Sequence, residues 1–222
     1  MVPLYLEIAD RQAGGAPAWW RRNSPMRLAS VLALALGGFL LVAAHVGARA
    51  QGEPITLEGT GQTATPAFFI PAPESVATFT HRGSRNFIVQ AHAGERRPDL
   101  LINTIGAYEG QRPILATEPI VLDIQADGPW TIYIEPIADG GGPSFSGRGD
   151  AVSPRFTPPS PGAWEITHDG QRNFVAWGRC AGGSVLAQNE IGPVVASRVL
   201  QFRAGPCFWE VQADGAWSLT PR

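Results

Sequence analysis

The sequence is short of charge, of cysteine and of basic runs. Charged residues make up 16% of its 222 positions, its formal net charge is −2, and it has 2 cysteines. Nucleic acids are bound through Lys and Arg that neutralise phosphates, so the lack of a sustained basic run excludes a nucleic-acid partner. Glycine and proline are abundant instead, at 26 and 20 residues. This composition favours short strands joined by many turns, and the chain is predicted to be all-β.

One long apolar segment stands near the N-terminus. Residues 28–48 carry no formal charge and follow a cluster of arginines, which is the pattern of a membrane-targeting helix. The segment ends at Ala48-Arg49-Ala50, an A-x-A site of the kind that signal peptidase cleaves. Residues 1–50 are therefore predicted to be a cytoplasmic stub followed by a signal peptide or, if uncleaved, by an anchor that spans the membrane.

A cleaved signal peptide and an uncleaved anchor give the same topology for the rest of the chain. Because the arginines precede the apolar segment, the positive-inside rule keeps residues 1–27 in the cytoplasm and places residues 51–222 outside. A start at Met26 would give a signal peptide of ordinary size, so both Met1 and Met26 stay open as the start. The expected location is extracytoplasmic, either secreted or anchored to the cytoplasmic membrane.

The rest of the chain contains one unit twice. HRGSRNFIV, which begins at His81, recurs as HDGQRNFVA from His168, an offset of 87 residues. The motif QADG-x-W recurs at the same offset, and N-x-I-G recurs with a slip of one residue. Each copy is about 80 residues, within the usual size of a domain. The prediction is a first β-sandwich at 51–138, a glycine-rich linker at 139–146 and a second β-sandwich at 147–222.

The strands are recognised by alternation. Inward-facing apolar residues occur at every second position in 120–126 and again in 207–212, as a strand with one buried face requires. Each run leads to an Asp-Gly pair, at Asp127 and at Asp214, ahead of a strand that begins near a tryptophan, and this predicts a tight hairpin. Roughly seven or eight such strands per copy predict an antiparallel sandwich, jelly-roll or immunoglobulin-like.

Together the motifs H-x-G-x-x-N-F-x-V, L-x-N-x-I-G and Q-A-D-G-x-W-x-I resemble a β-sandwich repeat common in bacterial secreted proteins and lipoproteins. The resemblance covers residues 55–136 and 143–220. It implies the type of domain but no activity, because the family carries none assigned. No cysteine follows the apolar segment directly, so the lipid anchor of the lipoprotein members is not expected.

Both cysteines belong to the second copy. Cys180 aligns with Ala93 and Cys207 with Ile120, and their gain as a pair indicates that they are joined. Alternation places both on an inward face. Outside the cytoplasm such a pair oxidises, and the bridge is expected to stabilise the second domain by roughly 3 to 4 kcal/mol. The alternative is a pair of buried free thiols.

The histidines, His81 and His168, occupy matching positions. Histidine ligates metals and titrates near neutrality, but neither residue has a second histidine or a carboxylate at ligand spacing. A structural hydrogen bond is therefore expected, and neither a metal nor another cofactor is predicted. Asn86 and Asn173, in the turns that follow, are expected to bind backbone groups across those turns.

The tryptophans could form a sugar-stacking platform or belong to the core. Trp130 and Trp217 alternate with aliphatic residues, so an inward orientation is expected for both. Trp177 is the exception. It lies on the face opposite Phe174, which makes it the candidate for an exposed, ligand-binding aromatic.

No catalytic set is recognisable. The serines lack the glycine-rich turn of a nucleophile elbow. Arg148-Gly149-Asp150 spells a tripeptide that some adhesins present to integrins, but the G-x-G turn of the repeat already accounts for its glycine. Asp123 and Glu210 keep an acid at one repeat position, which a solvated strand face explains without calcium.

These observations predict a non-catalytic exported module with a structural or ligand-binding role, whose partner would be a cell-surface glycan or protein. Two alternatives stay open: an extracellular carbohydrate-binding module and a secreted hydrolase. A membrane-anchored sensor is a further possibility if the apolar segment is uncleaved, but a cytoplasmic stretch of 27 residues has no room for a signalling domain.

Overall fold

A computed structural model describes residues 52–222, and this part of the chain is all-β. It contains sixteen strands and no helix, so no helix of the described residues could cross a membrane. The helix and targeting segment predicted within residues 1–50 lie outside the described residues.

The first copy contributes eight strands. They are β1 (Ile55–Thr60), β2 (Thr63–Ala64), β3 (Glu74–His81), β4 (Asn86–Ala93), β5 (Asp99–Ile105), β6 (Tyr108–Leu115), β7 (Ile120–Gln125) and β8 (Pro129–Pro136).

The second copy contributes the other eight. They are β9 (Phe145–Arg148), β10 (Ala151–Val152), β11 (Gly162–His168), β12 (Asn173–Cys180), β13 (Gly183–Ile191), β14 (Val194–Leu200), β15 (Cys207–Gln212) and β16 (Ala216–Pro221). Strand β9 begins at Phe145, so the last two residues of the segment 139–146 lie in a strand.

Each copy folds into two antiparallel four-stranded sheets. In the first copy the orders are β1-β8-β3-β6 and β2-β7-β4-β5, and in the second they are β9-β16-β11-β14 and β10-β15-β12-β13. Adding eight to each strand number of the first copy gives the second. The duplication read from the sequence is therefore also a duplication of strand order, and the β-sandwich fold is confirmed.

Each sandwich has its own apolar core between its sheets. Strand β7 shows the cause: Ile120, Leu122 and Ile124 are buried, while the residues between them lie on the outer face. Burying each such side chain contributes about 1.5 to 3 kcal/mol. In the second copy an aromatic cluster built around Trp164 and Trp209 fills the corresponding space.

The hairpin predicted at each Asp-Gly pair is wrong. Strand β7 lies in one sheet of the first sandwich and β8 in the other, so the turn carries the chain between sheets. Gly128 is needed there because of crowding, since a Cβ added to it would lie 2.7 Å from the Cα of Gly83. Alternation identifies a strand but does not say with which strand it pairs.

The predicted disulfide is confirmed. Cys180 and Cys207 are bonded, with their Cα atoms 4.1 Å apart and a separation of 27 positions in sequence. They stand directly opposite each other on the neighbouring strands β12 and β15. The bond therefore joins two strands of one sheet.

Candidate functional site

Each copy contains one buried histidine, and the two have the same surroundings. In the first copy the ring of His81 is fully buried and stacks on Phe87, with ring centroids 4.5 Å apart. Its Nδ1 lies 2.8 Å from the carbonyl oxygen of Gly106. A carbonyl can only accept, so Nδ1 carries the proton and donates. The other ring nitrogen, Nε2, lies 3.4 Å from Oδ1 of Asp127.

The second copy repeats this arrangement. His168 stacks on Phe174 with the same centroid separation of 4.5 Å. Its Nδ1 donates to the carbonyl oxygen of Gly192 at 2.9 Å, and its Nε2 lies 3.4 Å from Oδ1 of Asp214. Each histidine is thus hydrogen-bonded to one segment distant in sequence and lies beside a second, to which its Nε2 makes no hydrogen bond.

The aspartates hold the turn that follows each histidine. Asp127 accepts hydrogen bonds from the backbone N–H groups of Ser84 and Arg85, both at 3.1 Å, and Asp214 accepts from the two corresponding residues at 3.0 and 3.1 Å. The N–H of Ser84, followed by that of Arg85, lowers the pKa of Asp127. For Asp214 desolvation acts to raise the pKa, but the backbone N–H groups lower it overall. Both carboxylates are therefore charged at neutral pH.

Glycines allow these groups to meet. A Cβ on Gly83 would overlap both Oδ1 of Asp127 and Nε2 of His81, and a Cβ on Gly170 would overlap the matching atoms of the second copy. We call the set of histidine, aspartate and turn glycines in each copy the histidine lock. Its members are His81, Gly83, Asp127 and Gly128 in the first copy, and His168, Gly170, Asp214 and Gly215 in the second.

The motif tryptophans are buried beside the lock. Trp130 donates its indole N–H to the carbonyl oxygen of Gly61 at 3.0 Å, and Trp217 donates to that of Gly149 at 2.8 Å. Both acceptor glycines have positive φ, 75° and 72°, a conformation that glycine adopts without steric cost. The G-x-G segment of each copy is therefore shaped to receive an indole.

The asparagines of the same turns play no such part. Asn86 and Asn173 are exposed, and neither side chain makes a hydrogen bond within residues 52–222. The cross-turn hydrogen bonds expected from them are made by the lock aspartates. The identity of the asparagines in both copies has no explanation in the fold.

A histidine beside a carboxylate resembles half of a catalytic set, but the lock has no access for substrate. Solvent does not reach the side chain of either histidine, and one nitrogen of each ring is occupied by a backbone carbonyl. Within the described chain no group of three or more His, Cys, Asp or Glu residues could hold a metal ion. The lock is built to join strands.

Asp150 connects the two copies. Its carboxylate accepts from the hydroxyl of Tyr108 at 2.6 Å, pairs with the guanidinium of Arg112 at 3.1 Å and accepts from the N–H of Ala213 at 2.9 Å. Burial, helped by the adjacent Asp150 carboxylate, raises the pKa of the Tyr108 hydroxyl, which therefore stays protonated and donates. With its side chain only 13% exposed, Asp150 is not displayed as an adhesion tripeptide would require.

A second contact between the copies is centred on Arg155. Its guanidinium donates two hydrogen bonds to Glu74 of the first copy, at 3.1 and 2.9 Å, and a third to the carbonyl oxygen of Ile137. Beside it lies a small apolar cluster with members from both copies, including Val76 and Phe208. We call this cluster, together with the Asp150 and Arg155 contacts, the seam.

The outer face of the second sandwich is partly covered, which corrects one expectation. Glu210 does not lie on a solvated face, since it is 7% exposed and paired with Arg179 at 2.7 Å. The ring of Trp177, half-buried on the same face, has the guanidinium of Arg179 5.0 Å from its centroid. Trp177 lines neither of the grooves described next.

Two equivalent grooves open beside the histidine locks. The groove of the first copy has a volume of about 490 Å³ and that of the second about 520 Å³. They are lined by the same positions of the repeat. In the first copy these are Gln62, Ser84, Arg85, Asn86, Ile105, Gln125, Ala126 and Asp127, and in the second Asp150, Gln171, Arg172, Asn173, Ile191, Gln212, Ala213 and Asp214. The second groove is also lined by five residues of the first copy, Ile102, Asn103, Thr104, Tyr108 and Arg112.

Comparison with known proteins gives no assignment: no family model matches the chain, and no curated protein matches it. The candidate site therefore depends on geometry alone.

Several groove residues lie within the repeat motifs, but the sequence analysis gave them no role. Arg85, Ile105 and Gln125 recur as Arg172, Ile191 and Gln212 in the aligned copies. They could have been found because they are identical in both copies although they are neither turn glycines, nor buried apolar residues, nor turn aspartates.

Proposed function

We propose that this protein is an exported, non-catalytic binding module of the bacterial cell envelope. The observation that carries the proposal is the histidine lock. In both copies the histidine and the aspartate, the groups best suited to acid–base chemistry, are hydrogen-bonded to backbone groups and the histidine is closed off from solvent, whereas the polar residues left facing solvent line a groove.

Export is supported by the disulfide and by residues 28–48. Disulfides persist in oxidising compartments and are rare in the cytosol, and the Cys180–Cys207 bond fits a location outside the cytoplasmic membrane. The apolar segment would direct the chain there, and it would also anchor it to the membrane if signal peptidase left it uncut.

The strand order supports the jelly-roll alternative over the immunoglobulin-like one. Sheets of order β1-β8-β3-β6 and β2-β7-β4-β5 use eight strands per copy, as jelly rolls do, whereas a seven-stranded immunoglobulin sandwich divides its strands four and three. We propose membership of the secreted and lipoprotein repeat family on the same motifs, since the lock gives each of them a structural purpose.

A single preparation tests the proposal. The full-length chain is expressed in a bacterial host, its N-terminus is determined by mass spectrometry, and its accessibility to protease added outside the cells is measured. The purified protein is then incubated with arrayed glycans and peptides, and the bound probes are analysed for cleavage.

Export and retention of intact probes are the expected results. Cytoplasmic protein would overturn the location. Release of cleaved probe, abolished when His81→Gln and His168→Gln are combined, would overturn the non-catalytic assignment and favour the hydrolase.

A further inference from the structure

We infer that the two grooves are corresponding binding sites for a neutral saccharide, the second extended by residues of the first copy, so that one chain binds two saccharide units. This inference rests on the proposed binding function and gives it a place and a ligand class. It starts from the groove residues that recur in both copies although the fold makes no use of their side chains.

The arginines are the first of these. Arg85 contributes its backbone N–H to Asp127 and its carbonyl oxygen to Gly106, which any residue could do. Its guanidinium has no carboxylate within 4.0 Å among residues 52–222, and the same holds for Arg172. Arg82, in the same turn, does pair with a carboxylate, that of Glu109 at 3.8 Å.

The carboxamides are the second. Asn86 and Gln125 in the first groove, and Asn173 and Gln212 in the second, make no side-chain hydrogen bond within the described chain. Each carboxamide presents donors and an acceptor side by side. Their recurrence at both sites therefore supplies each groove with two such paired groups.

An exposed aliphatic side chain is the third. Ile105 is 76% exposed and Ile191 is 74% exposed. Leaving isoleucine in water forfeits the free energy that burial would give, about 2 kcal/mol for a side chain of this size. The same loss in both copies is explained if a ligand covers this side chain.

The balance of groups points to a neutral, hydroxyl-rich ligand. Each groove has one free guanidinium next to the charged lock aspartate, and the second groove also has the paired Arg112 and Asp150. The formal charges therefore cancel in both grooves, and no anion is strongly favoured. Hydroxyls both donate and accept, which matches the carboxamides, and the C–H face of a sugar can lie on the isoleucine.

The second groove has an additional wall. Ile102, Thr104 and Tyr108 of the first copy lie along it, so a ligand there would contact both sandwiches. Its volume still falls within the range of small-ligand sites.

The test uses the full-length chain and an array of neutral hexose and N-acetylhexosamine oligosaccharides, printed beside uronate oligosaccharides and peptides. The best-bound oligosaccharide is then titrated by calorimetry against the unchanged protein, Arg85→Ala, Arg172→Ala, the double variant and the control Arg82→Ala. Both groove substitutions keep the backbone N–H that the lock uses, so the fold is retained, and circular dichroism verifies it.

We expect binding to neutral oligosaccharides with two equivalents per chain. Each groove substitution should weaken binding in its own groove at least about tenfold because charged hydrogen bonds are lost. Each single variant should therefore keep one tight equivalent, the double variant none, and Arg82→Ala both. Preference for uronates or peptides, or no binding to any saccharide, would overturn the ligand class. Full binding by the double variant would overturn the location while leaving the binding function standing, whereas cleavage of the probe would overturn the function itself.

Discussion

The two copies share the histidine lock and differ in their cores. The first core is largely aliphatic, with Ala77 and Leu122 where the second has Trp164 and Trp209. At the lock glycines an added Cβ would overlap the histidine, the aspartate or the facing turn, so these positions are glycine in both copies. The cores could diverge because a sandwich needs filled volume rather than particular side chains.

The divergence of the second core is compensated locally. Gly178 stands where the first copy has Ala91, and a Cβ there would lie 2.5 Å from a ring carbon of Phe202. The added aromatic volume is thus accommodated by a loss of volume on the neighbouring strand. Several core residues of the second copy therefore differ together from those of the first, whereas the lock residues are the same in both.

Removing the aromatic core of the second copy should give the largest effect. Trp164→Ala, which introduces the residue of the first copy, is expected to lower the free energy of unfolding by about 3 to 5 kcal/mol because the neighbouring aromatic rings cannot fill the cavity. Chemical denaturation followed by circular dichroism measures this. The half-buried Trp177→Ala is the matched control, and an equal loss in both variants would contradict the packing argument.

The disulfide should come next. Replacing Cys180 and Cys207 together by alanine is expected to cost about 3.5 kcal/mol, the chain-entropy value for a loop of 27 residues. The reverse experiment sharpens the comparison. Ala93 and Ile120 stand directly opposite each other in the first copy, so cysteines at both positions should form a bond, which peptide mapping would detect. Free thiols there would show that the two sheets are not equivalent.

Loss of one seam hydrogen bond should have a smaller effect. Tyr108→Phe removes the donor to the Asp150 carboxylate, and the expected cost is about 1.5 to 2 kcal/mol. Calorimetric unfolding should show the change. Tyr133→Phe removes the hydroxyl of a more exposed tyrosine that lies outside the seam, and it serves as the matched control. If Tyr108→Phe left the free energy of unfolding unchanged, Arg112 alone would be sufficient to hold the Asp150 carboxylate in place.

The smallest effect should be the pH response of the locks. Asp127 and Asp214 have lowered pKa values when folded, so each stabilises the protein while ionised, and that contribution is lost as the pH falls from the ordinary carboxyl range through the folded pKa. Asp127→Asn and Asp214→Asn should each flatten the acid side of the stability curve by a similar amount. Unequal flattening would show that the locks differ despite their shared geometry.

The sequence alone supports much of this fold, because its signals are local or duplicated. The alternation of apolar and polar residues located the strands, and the internal repeat located the two sandwiches. The presence of both Cys180 and Cys207 in the second copy alone indicated the disulfide that joins these two cysteines. The Asp-Gly turns were misjudged, since whether β7 and β8 share a sheet depends on distant strands. Asp150 was beyond prediction because its partners Tyr108 and Arg112 are brought to it only by the docking of one copy on the other.

The seam also determines whether a fragment that contains one sandwich can be stable. Cutting the chain within the glycine-rich stretch would strip Arg112 of its counter-ion and expose Phe208 to water. Although the two sandwiches arose by duplication, they are not independent domains joined by a linker. Each sandwich buries part of its surface against the other. Gene fusions or truncations that contain only one sandwich should therefore expose this surface and aggregate.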